Sequence, residues 1–380
     1  MNRYAFFSSY VTPFKVHSLF FQTMAYAAGI ITQASLLSSW VAITSMGITL
    51  IITSFYLLGR QNIFLTFGLL GLFFSAGSYR YYYQQEEHLN FHQSILNIPF
   101  NAIGTVTSIS WIDQSRMRWC VTIQTESIEI ETAITPTKKT MQFYVQQKPN
   151  LQVQDLIKIQ DILVKKVAKP SYNNYLIKED IAATFFVTSL NYTLLNRPQK
   201  SFKRWLFYTK ERLMWRFKSK LSPQTFAFFS SVFLGHRSWG KAKMENPKDN
   251  CRTWGISHYL ARSGLHMVIF IFAWHMLLNT LPLSLLFKDL FLIFLSIIYY
   301  LLSWSSISFI RAFTSFILYK FCNILKVQSQ LLHLLTIVTL SVLIINPMQL
   351  FFLDFQLSFG LTFALAWFNN IHTKKSSPKS

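Results

Sequence analysis

The sequence predicts a polytopic α-helical membrane protein carrying an inserted small β-barrel, OB-like in type, on the extracytoplasmic side. Three observations predict it. Hydrophobic residues make up 51% of the chain and charged residues only 13%, whereas a soluble domain carries about 25% charge. Runs without Asp, Glu, Lys or Arg recur along the chain, beginning with Val16 to Gly59. Between the early and late runs, from Ile98 to Val167, the pattern changes to short alternating segments rich in β-branched and aromatic residues.

The first region, residues 1–80, holds about three spans. At about 1.5 Å per helical residue, Val16 to Gly59 is long enough to cross a roughly 30 Å hydrocarbon core twice, with Gln33 to Ser39 as the polar break; a third span runs from Gln61 to Tyr79. Arg3, Lys15 and Arg60 flank these spans, which by the positive-inside rule places the amino terminus in the cytoplasm and the segment after Tyr79 outside. The first apolar run shows no small-residue cleavage site and leads directly into another, so it reads as a permanent anchor.

Residues 98–190 form the inserted domain. Four or five short strands within this stretch, with Gly104, Pro136 and Pro149 near the breaks, suit a small barrel, and SYNNYLIKEDIAATFFVTSL reads as a further strand. Barrels of this type hold single strands by stacking bases on aromatics beside a basic groove. Trp111, Trp119, Phe143 and Tyr144 supply rings for that purpose, and Lys158, Lys165, Lys166 and Lys169 supply charge. The competing reading makes the rings barrel core and the lysines a solvated face.

Residues 197–220 read as a basic amphipathic helix. Nine basic side chains meet one acid, Glu211, so this window alone contributes +8 of the net +21. Phe202, Leu206, Thr209, Leu213 and Phe217 recur at helical spacing. Such helices usually lie in the membrane interface on anionic lipid, and contact of Lys203 and Arg204 with DNA phosphate is the lesser alternative. Roughly half of the excess positive charge follows from the Lys and Arg bias of cytoplasmic loops, and the rest needs a polyanion as partner, lipid headgroup or nucleic acid.

Residues 222–239 open the second membrane region, 221–372, with a segment short enough to be re-entrant. Charge-free runs follow at Met267–Phe287, Leu290–Ile310 and Val327–Leu353, with another apolar run at Phe355–Trp367, which brings the count to seven to nine spans. Arg311 and Lys320 fall at intramembrane or interfacial depth, and the basic tail 373–380 is expected in the cytoplasm.

Function is expected at Trp254 to Met267, WGISHYLARSGLHM, where polar groups stand at the mouth of an apolar run. Polar groups there lack water and face a cavity, a partner helix or a transport path. His258 and His266 are eight residues apart, about 80° around a helix, a poor arrangement for joint metal binding. Cys120, Cys251 and Cys322 show no CxxC spacing. No metal, cofactor or disulfide framework is therefore expected. Ser263, His266 and Asp354 could be imagined as a membrane-embedded hydrolase, a minor alternative because a triad needs a third group to orient the histidine and Asp354 is the only plausible intramembrane acid.

The pattern G-I-x-H-x-L-A-x-S-G-L-H at Gly255–His266, with LGHRS before it and NPMQLFFLDFQLSF after it, resembles the signature of the ComEC family of competence membrane proteins. The resemblance implies a bacterial inner-membrane, multi-pass protein that passes single-stranded DNA during natural transformation, with an OB-like domain at the position found here. It implies a transport path of Arg237, Gly255, His258, Arg262, Ser263, Gly264, His266, Arg311, Asp354 and Gln356. His236 stands where the family more often has an acid, and Arg262 where it has an apolar residue. Larger members add a metallo-β-lactamase-like domain with an HxHxDH motif, and these 380 residues contain no HxH, so the chain reads as a short form. No P-loop is present. The implied partners are single-stranded DNA, membrane lipid, a DNA receptor, a separate motor or nuclease, and a second copy of the chain in a homo-oligomer. No enzymatic activity is expected; the alternative is a degenerate member with a structural role only.

Overall fold

The structure, a computed structural model, describes residues 13–36, 48, 62–113, 118–130, 133–164, 169–198, 201–234, 253, 264–303, 306–327 and 330–376. The chain divides into two compact units. One comprises Met1–Glu86, Pro282–Ile293 and Ile310–Ser380, the other Glu87–Leu281 and Phe294–Phe309.

The first unit is helical. It contains α1 (Pro13–Leu36) and the apolar part of α2 (Asn62–Ile95); the second predicted span, within 37–61, lies outside the described residues apart from position 48. Gly29 and Gly77 let α1 and α2 touch: a Cβ at Gly29 would stand 2.1 Å from the Phe74 carbonyl oxygen, and one at Gly77 would stand 2.2 Å from that of Tyr26. The Ser78 hydroxyl donates to the Gly29 carbonyl at 2.9 Å, sealing the crossing. The 34 residues of α2 span about 51 Å, so the helix continues well past the predicted end of the third span at Tyr79. Its polar continuation begins with Arg80, which donates to the carbonyls of Ile344 and Ile345 at 3.0 and 2.9 Å. Those are terminal carbonyls of α9 (Leu331–Ile345), where a cation satisfies orphan acceptors and the helix dipole.

The late apolar runs are not single helices. They break into α6 (Gly264–Asn279), α7 (Leu285–Leu302), α8 (Ile307–Ile324), α9, a 3₁₀ turn (Pro347–Phe351) and α10 (Leu353–Ser376). Pro282 and Pro347 stand in two of the breaks, where a proline cannot continue a hydrogen-bonded ladder. Among the described residues α7 and α8 are long and apolar enough to cross a membrane; α6, α9 and the apolar part of α10 are shorter. Leu353, Leu357, Leu361 and Leu365 are all more than 60% exposed at four-residue intervals on α10, a stripe that hydrocarbon would solvate and water would not.

The second unit is built on a mixed sheet of seven strands: β1 (Pro99–Asp113), β2 (Arg118–Ile130), β3 (Ala133–Pro136), β4 (Thr140–Val145), β5 (Leu156–Leu163), β6 (Ile181–Val187) and β7 (Tyr192–Asn196). The order is β6-β4-β2-β1-β5-β7, with β3 also on β2; β4 and β6 run parallel and the other pairs antiparallel. The 15 residues of β1 carry register shifts against β2 at Ile103/Gly104, Val106/Ser108 and Trp111/Asp113, and bulges of this kind bend a strand. Gly104 sits at the first, where a Cβ would lie 2.6 Å from the Gln124 carbonyl oxygen. The bent sheet encloses one apolar cluster that includes Val106, Val121, Ile123, Met141, Phe143 and Ile157.

A closed barrel was expected, and the ladders do not close among the described residues. The strand order ends on β6 at one side and on β7, which pairs with β5, at the other, and no ladder among the described residues joins these two end strands. The segment SYNNYLIKEDIAATFFVTSL is likewise not one strand. Pro170 opens α3 (Pro170–Lys178), as proline suits a first helical turn, and Asp180 in the left-handed region (φ 53°) turns the chain into β6.

After β7 the chain enters α4 (Phe202–Lys220) and the short α5 (Pro223–Val232). Asp155, fully buried, anchors this junction: Arg197 reaches it at 2.8 Å and Arg204 at 2.6 Å, and the Gln152 amide donates to it at 2.8 Å.

Candidate nucleic-acid interface

Trp111 and Trp119 are register partners at one end of the β1–β2 pair, so strand pairing alone places the rings side by side. They meet edge to face with centroids 4.9 Å apart. A cavity of about 720 Å³ opens beside them, lined by Ile109, Ser110, Trp111, Trp119, Lys148 and Leu151 from the sheet side and by Phe207, Tyr208, Glu211, Arg212, Trp215 and Lys218 from α4. Its size falls within the range of small-molecule sites.

The lining alternates rings with cations. Lys148 Nζ lies 5.0 Å above the Trp119 ring, and Lys218 Nζ lies 4.8 Å from the Trp215 ring centre, distances at which ring quadrupoles hold ammonium groups. The indole N–H of Trp111 is buried and has no acceptor among the described residues. Glu211 is the one acid of the helix, and burial pushes its carboxyl above the usual carboxylate range while Lys148 pulls the other way.

The face of α4 that packs inward is not the Phe202-Leu206-Thr209-Leu213-Phe217 stripe. Met214 is the fully buried position, with Glu211 one turn and Phe207 two turns back partly buried, whereas Phe202 is 65% and Trp205 60% exposed. Phe207, Tyr208, Glu211, Arg212, Trp215, Lys148 and Lys218 therefore join the site without having been singled out for it from sequence. A lone acid and two tryptophans inside a basic helix were the available signal.

The other proposed nucleic-acid contacts disperse. Phe143 is core, 2% exposed and stacked on Phe185 at 4.6 Å, so it cannot serve as a stacking surface. Tyr144 stacks on the exposed Phe186 at 4.8 Å. Lys158 pairs with Glu129 at 2.5 Å. Arg204 is held by Asp155 and by the Val153 carbonyl at 2.8 Å. Lys203 and Lys169 are exposed, and Lys165 and Lys166 lie outside the described residues.

Of the transport-path candidates, Arg237, Gly255, His258, Arg262 and Ser263 lie outside the described residues, as does His236. Gly264 begins α6 and its amide donates to the Ser308 hydroxyl at 3.2 Å. His266 is buried, edge to face with Phe233 at 5.7 Å.

Arg311 and Lys320, on the same helix α8, have opposite surroundings. Lys320 is neutralised by Asp289 at 2.5 Å, an acid that the sequence reading passed over. Arg311 forms no ion pair among the described residues: Nε donates to the Ser358 hydroxyl at 2.9 Å, Nη1 to the Thr362 hydroxyl, and the guanidinium lies 5.7 Å from the Phe359 ring centre. Ser358 thus serves an interhelical bond. Gln356 instead donates to the Leu350 carbonyl at 2.9 Å, closing the preceding 3₁₀ turn, and Asp354 occupies the first turn of α10.

No curated protein and no solved structure compared with this chain matches it. A family model described as "Competence protein" matches residues 233–380, a region that follows the cavity-lining residues in the sequence and contains α6 through α10 together with all three sequence motifs. Competence-family proteins are membrane proteins that take part in DNA uptake, and over residues 233–380 the chain is similar to them, consistent with the ComEC resemblance.

Proposed function

We propose that this protein is a multi-pass inner-membrane component through which single-stranded DNA passes during natural transformation, and that it performs no chemistry of its own. The observation that carries the proposal is Arg311. Within the region matched to the competence family, its partners among the described residues are two hydroxyls and the Phe359 ring, with no carboxylate, while Lys320 on the same helix is cancelled by Asp289. An intramembrane cation without a counter-ion is costly and marks an ion or substrate pathway; a phosphate backbone supplies the missing anion.

The resemblance also names Gly255, His258, Arg262, Ser263, Gly264, His266 and Arg237 as candidates for contact with the strand. Asp354 and Gln356 shape the α10 end of its path. The antiparallel pairing of β1 with β2 and β5, with β6 parallel to β4, supports an OB-like, partly open domain, which in this reading faces outward. A separate motor, nuclease and receptor would act with it, and anionic lipid would meet the exposed side of α4.

The test is transformation of the source bacterium by marked chromosomal DNA after deletion of the gene. Complementation uses wild type, Arg311→Gln, Arg311→Lys and Gly264→Leu at matched membrane levels. Wild type should restore transformation, Arg311→Gln and Gly264→Leu should not, and Arg311→Lys should restore part of it, because Lys keeps the charge without the two-pronged donor geometry. Unchanged transformation in a competent strain lacking the gene would refute the proposal and leave a structural role.

A further inference from the structure

We infer that the cavity between the β1–β2 end and α4 is a nucleobase site, taking an unstacked base of a single strand between Trp119 and Trp215 with the flanking phosphates on Lys148, Arg212 and Lys218. The inference rests on the DNA-passage reading and names where the strand is held. All of its residues lie before residue 233, where the family match begins.

The argument starts from what the cavity excludes. A solvated charged face would not draw Trp111 and Trp119 half out of water, and a closed core would not place Lys148, Arg212 and Lys218 around a void of about 720 Å³. Rings and cations together fit a ligand that is both flat and anionic, and each nucleotide of a single strand is both. The lysines already rest on the rings, at 5.0 Å over Trp119 and 4.8 Å over Trp215. Positive charge is therefore held beside the stacking surfaces, where a sugar-phosphate backbone must run if a base lies between them.

Two polar groups point to a base rather than to a bare phosphate. The Trp111 indole N–H is buried without an acceptor among the described residues, which costs free energy unless something accepts from it. Glu211 in the same lining is an acceptor that would repel a phosphate. One donor and one acceptor match the Watson–Crick edge of an unpaired base, which offers both in every base. The pocket is therefore sequence-tolerant, as passage of arbitrary DNA requires. Duplex DNA is excluded because its bases are stacked and paired.

The inference is tested with the purified full-length protein and a fluorescein-labelled fifteen-nucleotide dT strand, read by anisotropy and by quenching of tryptophan fluorescence. Parallel arms use an abasic strand of the same length and charge, a duplex of that length, and vesicles of phosphatidylglycerol. The dT strand should quench tryptophan and bind at least about tenfold more tightly than the abasic strand, the size expected from one stacked base. Trp215→Ala should lose about tenfold and Arg212→Gln several-fold; both side chains are exposed enough for the helix to tolerate the change. Arg311→Gln should bind dT like wild type even though it fails to transform, which separates this inference from the passage reading. Equal binding of dT and abasic strands, or wild-type affinity in Trp215→Ala, would overturn the base site. Loss of vesicle binding in Trp215→Ala with dT binding unchanged would assign the cavity to lipid headgroups and overturn it as well.

Discussion

Asp155 shows how a single residue fixes where a charged helix begins. Its carboxylate is fully buried and receives both Arg197 and Arg204, so the positive charge at the start of the basic segment is used internally rather than offered to a ligand. Removing a buried partner leaves its counter-charges uncompensated, which costs about 3–5 kcal/mol. Asp155→Ala should therefore lower the urea midpoint of the sheet unit far more than Lys203→Ala, whose side chain is exposed. A change of similar size in both would contradict the ion-pair account. From sequence, Arg204 was indistinguishable from its neighbours, because the residue that claims it lies 49 positions away. His88 carries the second prediction at this scale. Burial, then the neighbouring His92, presses its pKa down to about 4, so between pH 6.5 and 4 the unfolded chain takes up a proton that the folded chain refuses. Stability from this group is present above pH 6.5 and is lost as pH falls toward 4. His88→Gln should flatten the acid limb of a stability-against-pH curve measured by thermal unfolding; an unchanged limb would place the acid sensitivity elsewhere.

At the scale of elements, period and composition carried the reading where a helix or strand faces one environment and failed where it faces two. The alternating segments of β1, β2, β4 and β5 were legible because each presents one face to the apolar cluster. The inward face of α4 was not, because its apolar residues surround the helix, and only the sheet decides that Met214 rather than Phe202 is buried. The α1–α2 crossing was also invisible, since glycine in an apolar run gives no periodic signal. It yields a sharp prediction nonetheless. Gly77→Leu must separate backbones that a Cβ would bring to 2.2 Å, whereas at Gly360 a Cβ would meet nothing within 4 Å. Gly77→Leu should reduce folded protein in the membrane severalfold and lower its melting temperature, and Gly360→Ala should do neither. Equal tolerance of both would mean the close crossing is not maintained in the bilayer.

For the whole molecule the question is how much of a net charge of +21 acts on DNA. Several of the cations are accounted for internally: Lys139 pairs with Glu87, Lys158 with Glu129, Lys320 with Asp289, and Arg197 and Arg204 share Asp155. Arg80 holds helix carbonyls. The site was legible in part for the same reason: Trp111 and Trp119 stood out as rings in a small sheet, but the cations beside them come from other elements that only the fold brings together. Salt dependence separates a local grip from a diffuse one. Single-stranded DNA gives a slope of log K against log salt of about −0.7 for each phosphate neutralised, so three cations at the cavity predict a slope of roughly −2. Lys148→Gln should make it shallower by about 0.7 and Lys203→Gln should leave it unchanged. If the whole basic helix lay along the strand instead, the wild-type slope would be several times steeper, and each exposed lysine of α4 would count equally. Titrating the fifteen-nucleotide strand between about 50 and 200 mM salt decides between them, because a net charge acts at a distance that salt screens while a built site keeps its count of contacts.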